Sequence, residues 1–108
     1  MVTYKVSVSK EAKAAFKDIK EWLRTTESDT VANKVAGAIL DEIDGLATMP
    51  TRHGRVLEIN NDQVIFRRVL KWTYKIIFVV DEDEEEVLVV DITHAKQDPQ
   101  RLQDKYGS

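Results

Sequence analysis

The apolar residues of this chain change their spacing at Pro50, and that change limits the fold more than any other feature. Before it, Ala12, Ala15, Phe16, Ile19, Trp22 and Leu23 recur at helical intervals, and Ala32, Val35, Ala36, Ile39, Leu40, Ile43 and Leu46 do so again. After it come short runs rich in β-branched and aromatic residues, which suit strands. A chain with both patterns must place helices against a sheet, because neither half buries its apolar side alone.

The boundaries are legible. Residues 3–8 (TYKVSV) alternate as a half-buried strand does. Ser9 suits the N-cap of the first helix, and TTESD (25–29) supplies the next cap. A break this short makes the two helices an antiparallel hairpin. Strands are predicted over 55–59, 63–70, 72–80 and 86–92, with Asn60-Asn61-Asp62 as a turn and DEDEE as a solvated hairpin. The expected fold is α+β with two layers. An N-terminal strand and a helical hairpin precede a four-stranded antiparallel meander (β-α-α-β-β-β-β), all in one domain over residues 1–108. The two helices cover one face of the sheet and leave the other bare. PQRLQDKY (99–106) reads as a short helix or as coil.

Composition narrows the function. With 108 residues and no cysteine, the chain has no disulfide or thiolate metal site, and a cytoplasmic location is expected. No run approaches the roughly eighteen apolar residues of a membrane span. No metal-ligand spacing appears, and no cofactor is expected. A net charge of −3 argues against a surface that grips nucleic acid throughout. The charges nevertheless separate along the chain: Arg52, His53, Arg55, Arg67, Arg68, Lys71 and Lys75 precede the acidic run 81–86.

The candidate functional residues follow from chemistry. RNA cleavage by 2′-hydroxyl attack needs a proton acceptor, cations facing the phosphate and a proton donor. Arg67, Arg68, His94 and Lys96 are the candidates for that work. Arg52, His53, Arg55, Arg67, His94 and Lys96 are the candidates for contact with a macromolecular partner. Arg67 and Arg68 are neighbours in a strand and so face opposite sides of the sheet. Alternation along 86–92 groups His94 with Leu88, Val90 and Ile92. The structural alternative for His94 is that it closes the turn before Pro99. Asp91 is expected to pair with Lys75 or Arg67, since an unpaired buried carboxylate is costly. Trp22 and Trp72 are expected in the core or between helix and sheet.

Several segments together resemble a known family. They are Y-x-V-x-[VS]-x-x-A (Tyr4 to Ala12), I-x-x-L-x-x-x-P-x-x-x-G-R (Ile43 to Arg55), Y-K-I-x-F (Tyr74 to Phe78) and the ending H-A-K-Q-D-P (His94 to Pro99). In this order they resemble the ParE/RelE toxin superfamily, the toxins of bacterial type II toxin–antitoxin pairs, often called plasmid-stabilisation proteins. The G-R pair and the H-x-x-x-D-P ending look more like ParE. That likeness implies a toxin that poisons DNA gyrase by protein contact and is neutralised by a cognate antitoxin. Such a toxin forms a homodimer or a toxin–antitoxin hetero-oligomer. The alternative is a RelE-like endoribonuclease that cuts mRNA on the ribosome, with Arg67 matching the strand arginine that faces phosphate. A second alternative is a non-toxic binding module of the same fold.

Overall fold

A computed structural model describes residues 2–94 and 99–107, without the side chain of Pro99. Strand β1 (Lys5–Val8) leads into helix α1 (Lys10–Thr26) and helix α2 (Asp29–Gly45). A 3-10 turn, Pro50–Arg52, follows. Then come β2 (Arg67–Lys71), β3 (Tyr74–Asp81), β4 (Glu86–His94) and α3 (Pro99–Tyr106). The sheet order is β1-β4-β3-β2. β2, β3 and β4 form three strands of the expected four-stranded antiparallel meander, and β1 joins parallel to β4, with Lys5 opposite Glu86 and Val8 opposite Val89.

The helices begin where the sequence places caps. Ser9 accepts the Ala12 N–H at 3.0 Å, and Ser28 accepts the Val31 N–H at 3.1 Å. Ser9 does more than start a helix. Its hydroxyl donates to the Val90 carbonyl at 3.1 Å and its N–H to the Val89 carbonyl at 2.8 Å, which fixes the start of α1 against β4.

The residues 55–59 do not make a strand. Only Arg55 bridges to Arg67, while the Val56 N–H donates to Phe66. The chain then turns: Ile59 N–H bonds back to Val56, and the Asn61 side chain accepts from the N–H groups of Gln63 and Val64. Local hydrogen bonding by Asn61 outcompetes a ladder here. The described strand that follows therefore starts at Arg67, four residues later than alternation suggests.

The sheet is covered on both faces, which corrects the expectation of a bare far side. On the near face Ile39, Ile43 and Leu46 of the hairpin pack on Tyr74, Ile76, Phe78, Val87, Val89 and Ile92. On the far face α3 and the segment 56–66 cover Ile77 through Val56, Ile59, Leu102, Phe66 and Tyr106. Tyr74 to Phe78 is consequently buried without alternation, and the continuous apolar run of β3 is what a strand buried on both sides requires.

Neither tryptophan is in the core. Trp22 is 61% exposed and Trp72 55% exposed. Trp72 occupies the two-residue turn between Lys71 and Tyr74 at φ 52°, with the Lys71 ammonium 4.9 Å from its ring centre. A turn points its side chains outward whatever their polarity. Trp22 lies on the flank of α1, about 100° around the helix axis from its buried neighbour Leu23.

Phe78 is fully buried at the centre of the near-face core. Phe78→Ala should cost about 3–5 kcal/mol, read from the urea midpoint at unchanged m-value.

Candidate functional site: two separated clusters

The sequence candidates fall at opposite ends of the sheet. The first cluster is built where the helical hairpin hands over to β2. Met49 takes the left-handed conformation at φ 49°, and the Pro50 turn then presents Arg52 to solvent. The next carbonyl, that of His53, accepts Nη1 of Arg67 at 2.7 Å. Gly54 accepts the Arg68 N–H at 3.0 Å, and the Arg68 guanidinium passes so near that a Cβ on Gly54 would lie 2.9 Å from Nη1. Arg52 and Arg55 are exposed, whereas Arg67 and Arg68 are half-buried. Arg67 is opposite Phe78 on the near face and Arg68 opposite Ile77 on the far face, as their adjacency predicts.

His53 stands edge-on to Phe78, with ring centres 5.8 Å apart. Burial, and then the nearby Arg52 cation, hold its imidazole below the ordinary value of 6.5, against a smaller opposing pull from Glu42. This histidine is therefore mainly a neutral packing group at pH 7.

The second cluster surrounds the C-terminal half of β4. Between Val89 and Asp91 the pairing slips: Phe78 faces Val89 but Ile77 faces Asp91, so β4 carries one extra residue. The bulge turns Asp91 to the far face. There its carboxylate takes the Tyr106 hydroxyl at 2.5 Å and the Lys105 ammonium at 3.2 Å, and it also accepts the Ile92 N–H at 2.8 Å. The expected partners, Lys75 and Arg67, are not the ones found. Lys75 pairs with Glu58, whose carboxyl is held below the usual range chiefly by the Lys75 hydrogen bond. Burial, and then Asp91, push the Tyr106 hydroxyl well above its ordinary value, so it remains a donor.

The bulge also corrects the grouping of His94. It shares the near face with Ile92 and lies opposite Tyr74, their rings edge-to-face at 5.9 Å, while Leu88 and Val90 belong to the other side. Lys96 lies outside the described residues. Sequence reasoning missed the Asp91–Tyr106–Lys105 group altogether. Its only sequence signal is an acid within an apolar strand followed by a helix carrying Lys105 and Tyr106.

Arg67 and His94 are not neighbours. Arg67 is level with Phe78 and His94 with Tyr74, four residues along β3 and two strands apart. Standard strand spacing makes that roughly 17 Å between Cα atoms, and the Arg67 guanidinium is engaged by the His53 carbonyl. The arrangement offers a cationic rim at one end of the sheet and a groove at the other. Among the described residues no three carboxylate or imidazole groups gather to hold a metal ion, and no helix is long and apolar enough to cross a membrane.

This sheet, with its helical hairpin and β1 inserted parallel to β4, has counterparts among toxin–antitoxin structures. A chain of the chromosomal ParDE system from P. aeruginosa superposes with a TM-score of 0.70 at 14% identity, over 89% of this chain and 100% of that one. A chain of the RelBE2 toxin–antitoxin complex from Mycobacterium tuberculosis gives 0.66 at 18% identity, over 89% and 97%. A chain of the archaeal RelE–RelB complex from Pyrococcus horikoshii OT3 gives 0.61 at 13%, over 89% and 99%. No curated protein matches the sequence. A family profile described as the ParE toxin of the type II toxin–antitoxin system, parDE, matches residues 6–99. The chain belongs to that family.

Two measurements check the clusters. Tyr106→Phe removes a hydrogen bond to a buried carboxylate. It should cost about 1.5–3 kcal/mol in urea unfolding and speed amide exchange in α3. For His53, the folded chain binds fewer protons than the unfolded chain. Its contribution to stability is therefore complete above pH 6.5 and is lost as pH falls through the depressed folded value. His53→Gln should flatten the stability–pH slope below pH 6.5, followed by thermal melts.

Proposed function

We propose that this protein is a toxin that inhibits DNA gyrase by surface contact and is held silent by a cognate antitoxin in the cytoplasm. The observation that carries this reading is the separation of His94 from Arg67. Cleavage of RNA needs a proton-transfer group and phosphate-facing cations on one reacting centre. Here Arg67 and Arg68, the strand arginines, and the exposed His94 occupy different ends of the sheet. The exposed Arg52 and Arg55 instead form a rim suited to an acidic patch on a protein. The family match to ParE supports the same target class, and the neighbours solved as toxin–antitoxin complexes support an antitoxin partner.

The test is a supercoiling assay with purified gyrase, run beside a ribosome-dependent mRNA cleavage assay. Gyrase inhibition is expected, weakened about tenfold in the double variant Arg52→Glu, Arg55→Glu. His94→Ala should leave inhibition within about a factor of two. Cleavage of mRNA on the ribosome that disappears in His94→Ala or Arg67→Ala would overturn the reading in favour of a RelE-like endoribonuclease.

A further inference from the structure

The end of the sheet that carries the arginines also carries the acids. Arg67 lies opposite Phe78, and three residues further along β3 the chain enters the acidic run 81–86. All six of these acids are exposed, and so are Arg52 and Arg55. A cleft of about 470 Å³ is lined by Thr51 and Arg67 from the arginine side and by Asp81, Glu82 and Asp83 from the hairpin. Val64 and Ile65, both exposed, complete its wall. Thr51 also lines a second hollow, with Arg52 and the exposed Met49.

The two charged groups do not satisfy each other. Among the described residues no ion pair joins these arginines to these acids. The Asp81 carboxylate instead accepts the Glu84 N–H at 3.0 Å and closes the hairpin. Alone, the acidic run is a solvated turn. Beside the arginines and the apolar cleft it completes a surface with an apolar middle and a charged rim, the anatomy of an interface. A uniformly charged partner meets its own sign on this surface, whether it is a polyanion at the acids or a polycation at the arginines. A second copy of the chain meets the opposite sign at both.

We propose that two copies of this chain pair through this end. A two-fold axis passing near Val64 and Ile65 sets Arg52 and Arg55 of each copy against the acidic run of the other, so every favourable contact occurs twice. The apolar side chains meet near the axis. A pair formed in this way covers Arg52 and Arg55 and keeps them from gyrase, a consequence that rests on the proposed target.

Sedimentation velocity of the full chain tests the pairing at about 0.05 M and about 0.5 M NaCl, between which the screening length shortens about threefold. Dimer in exchange with monomer is expected at the lower salt, and monomer at the higher. Two variants reverse one patch each. Arg52→Glu with Arg55→Glu makes both patches acidic. Glu82→Lys, Asp83→Lys, Glu84→Lys and Glu85→Lys together make both basic, and they leave Asp81, which closes the turn, and Glu86, which lies opposite Lys5. Each variant alone should weaken self-association at least about tenfold. An equimolar mixture should pair within about threefold of the unaltered chain, because every contact again joins opposite signs. All the replaced side chains are exposed, and far-UV circular dichroism should confirm that both variants remain folded. An unaltered chain that stays monomeric up to about 0.1 mM at the lower salt would overturn the proposal. So would a dimer indifferent to salt, or folded variants that do not pair when mixed. The readout needs no gyrase, so recovery in the mixture supports the pairing even where the supercoiling assay shows no inhibition.

Discussion

One extra residue in β4 governs how the two ends of this molecule differ. Without the bulge between Val89 and Asp91, alternation would aim Asp91 and Thr93 at the helical hairpin. A carboxylate there would meet Ile39, Ile43 and Phe78, where nothing compensates its lost hydration. With the bulge, Ile92 takes the near-face position opposite Ile76, and Asp91 turns to the far face. There it meets a hydroxyl, an ammonium and a backbone N–H. The apolar near face stays unbroken, and α3 acquires a charged anchor.

That anchor explains how so short a helix stays in place. An eight-residue helix is marginal by itself. Leu102 supplies apolar burial, Tyr106 and Lys105 reach Asp91, and the Asn61 side chain donates to the Tyr106 carbonyl at 2.8 Å. The segment 56–66 and α3 thus support each other over the far face. The same helix forms one wall of the groove beside β4, so its attachment and the shape of that groove are linked.

The cationic end is organised differently. Its shape comes from backbone carbonyls of the Pro50–Gly54 turn, which take the Arg67 side chain and the Arg68 N–H. Those contacts hold two arginines near the sheet while Arg52 and Arg55 remain in solvent. Exposed cations of this kind contribute little to stability. They can steer an acidic partner and set which surfaces approach. The two clusters give the surface of this family member two distinct ends.

Much of this was legible in the residues. Periodicity determined both long helices, their serine caps, the acidic hairpin and the three antiparallel strands, because each depends on neighbours within a few positions. Opposite facing of Arg67 and Arg68 followed from strand geometry alone. The candidate residues were located in the right elements, but their mutual distances were not readable, since those depend on strand order and register. Asn61 diverted 55–59 from a ladder through side-chain bonds that alternation does not register. The bulge reversed the side shared by His94 and Leu88, because period-two counting assumes that no residue is inserted. The tryptophans lie outside because a turn and a helix flank, not hydrophobicity, set their direction. Local sequence therefore determined which elements form. Only packing of both sheet faces decided which charges meet, because a register shift or a covering helix acts between residues far apart in the chain.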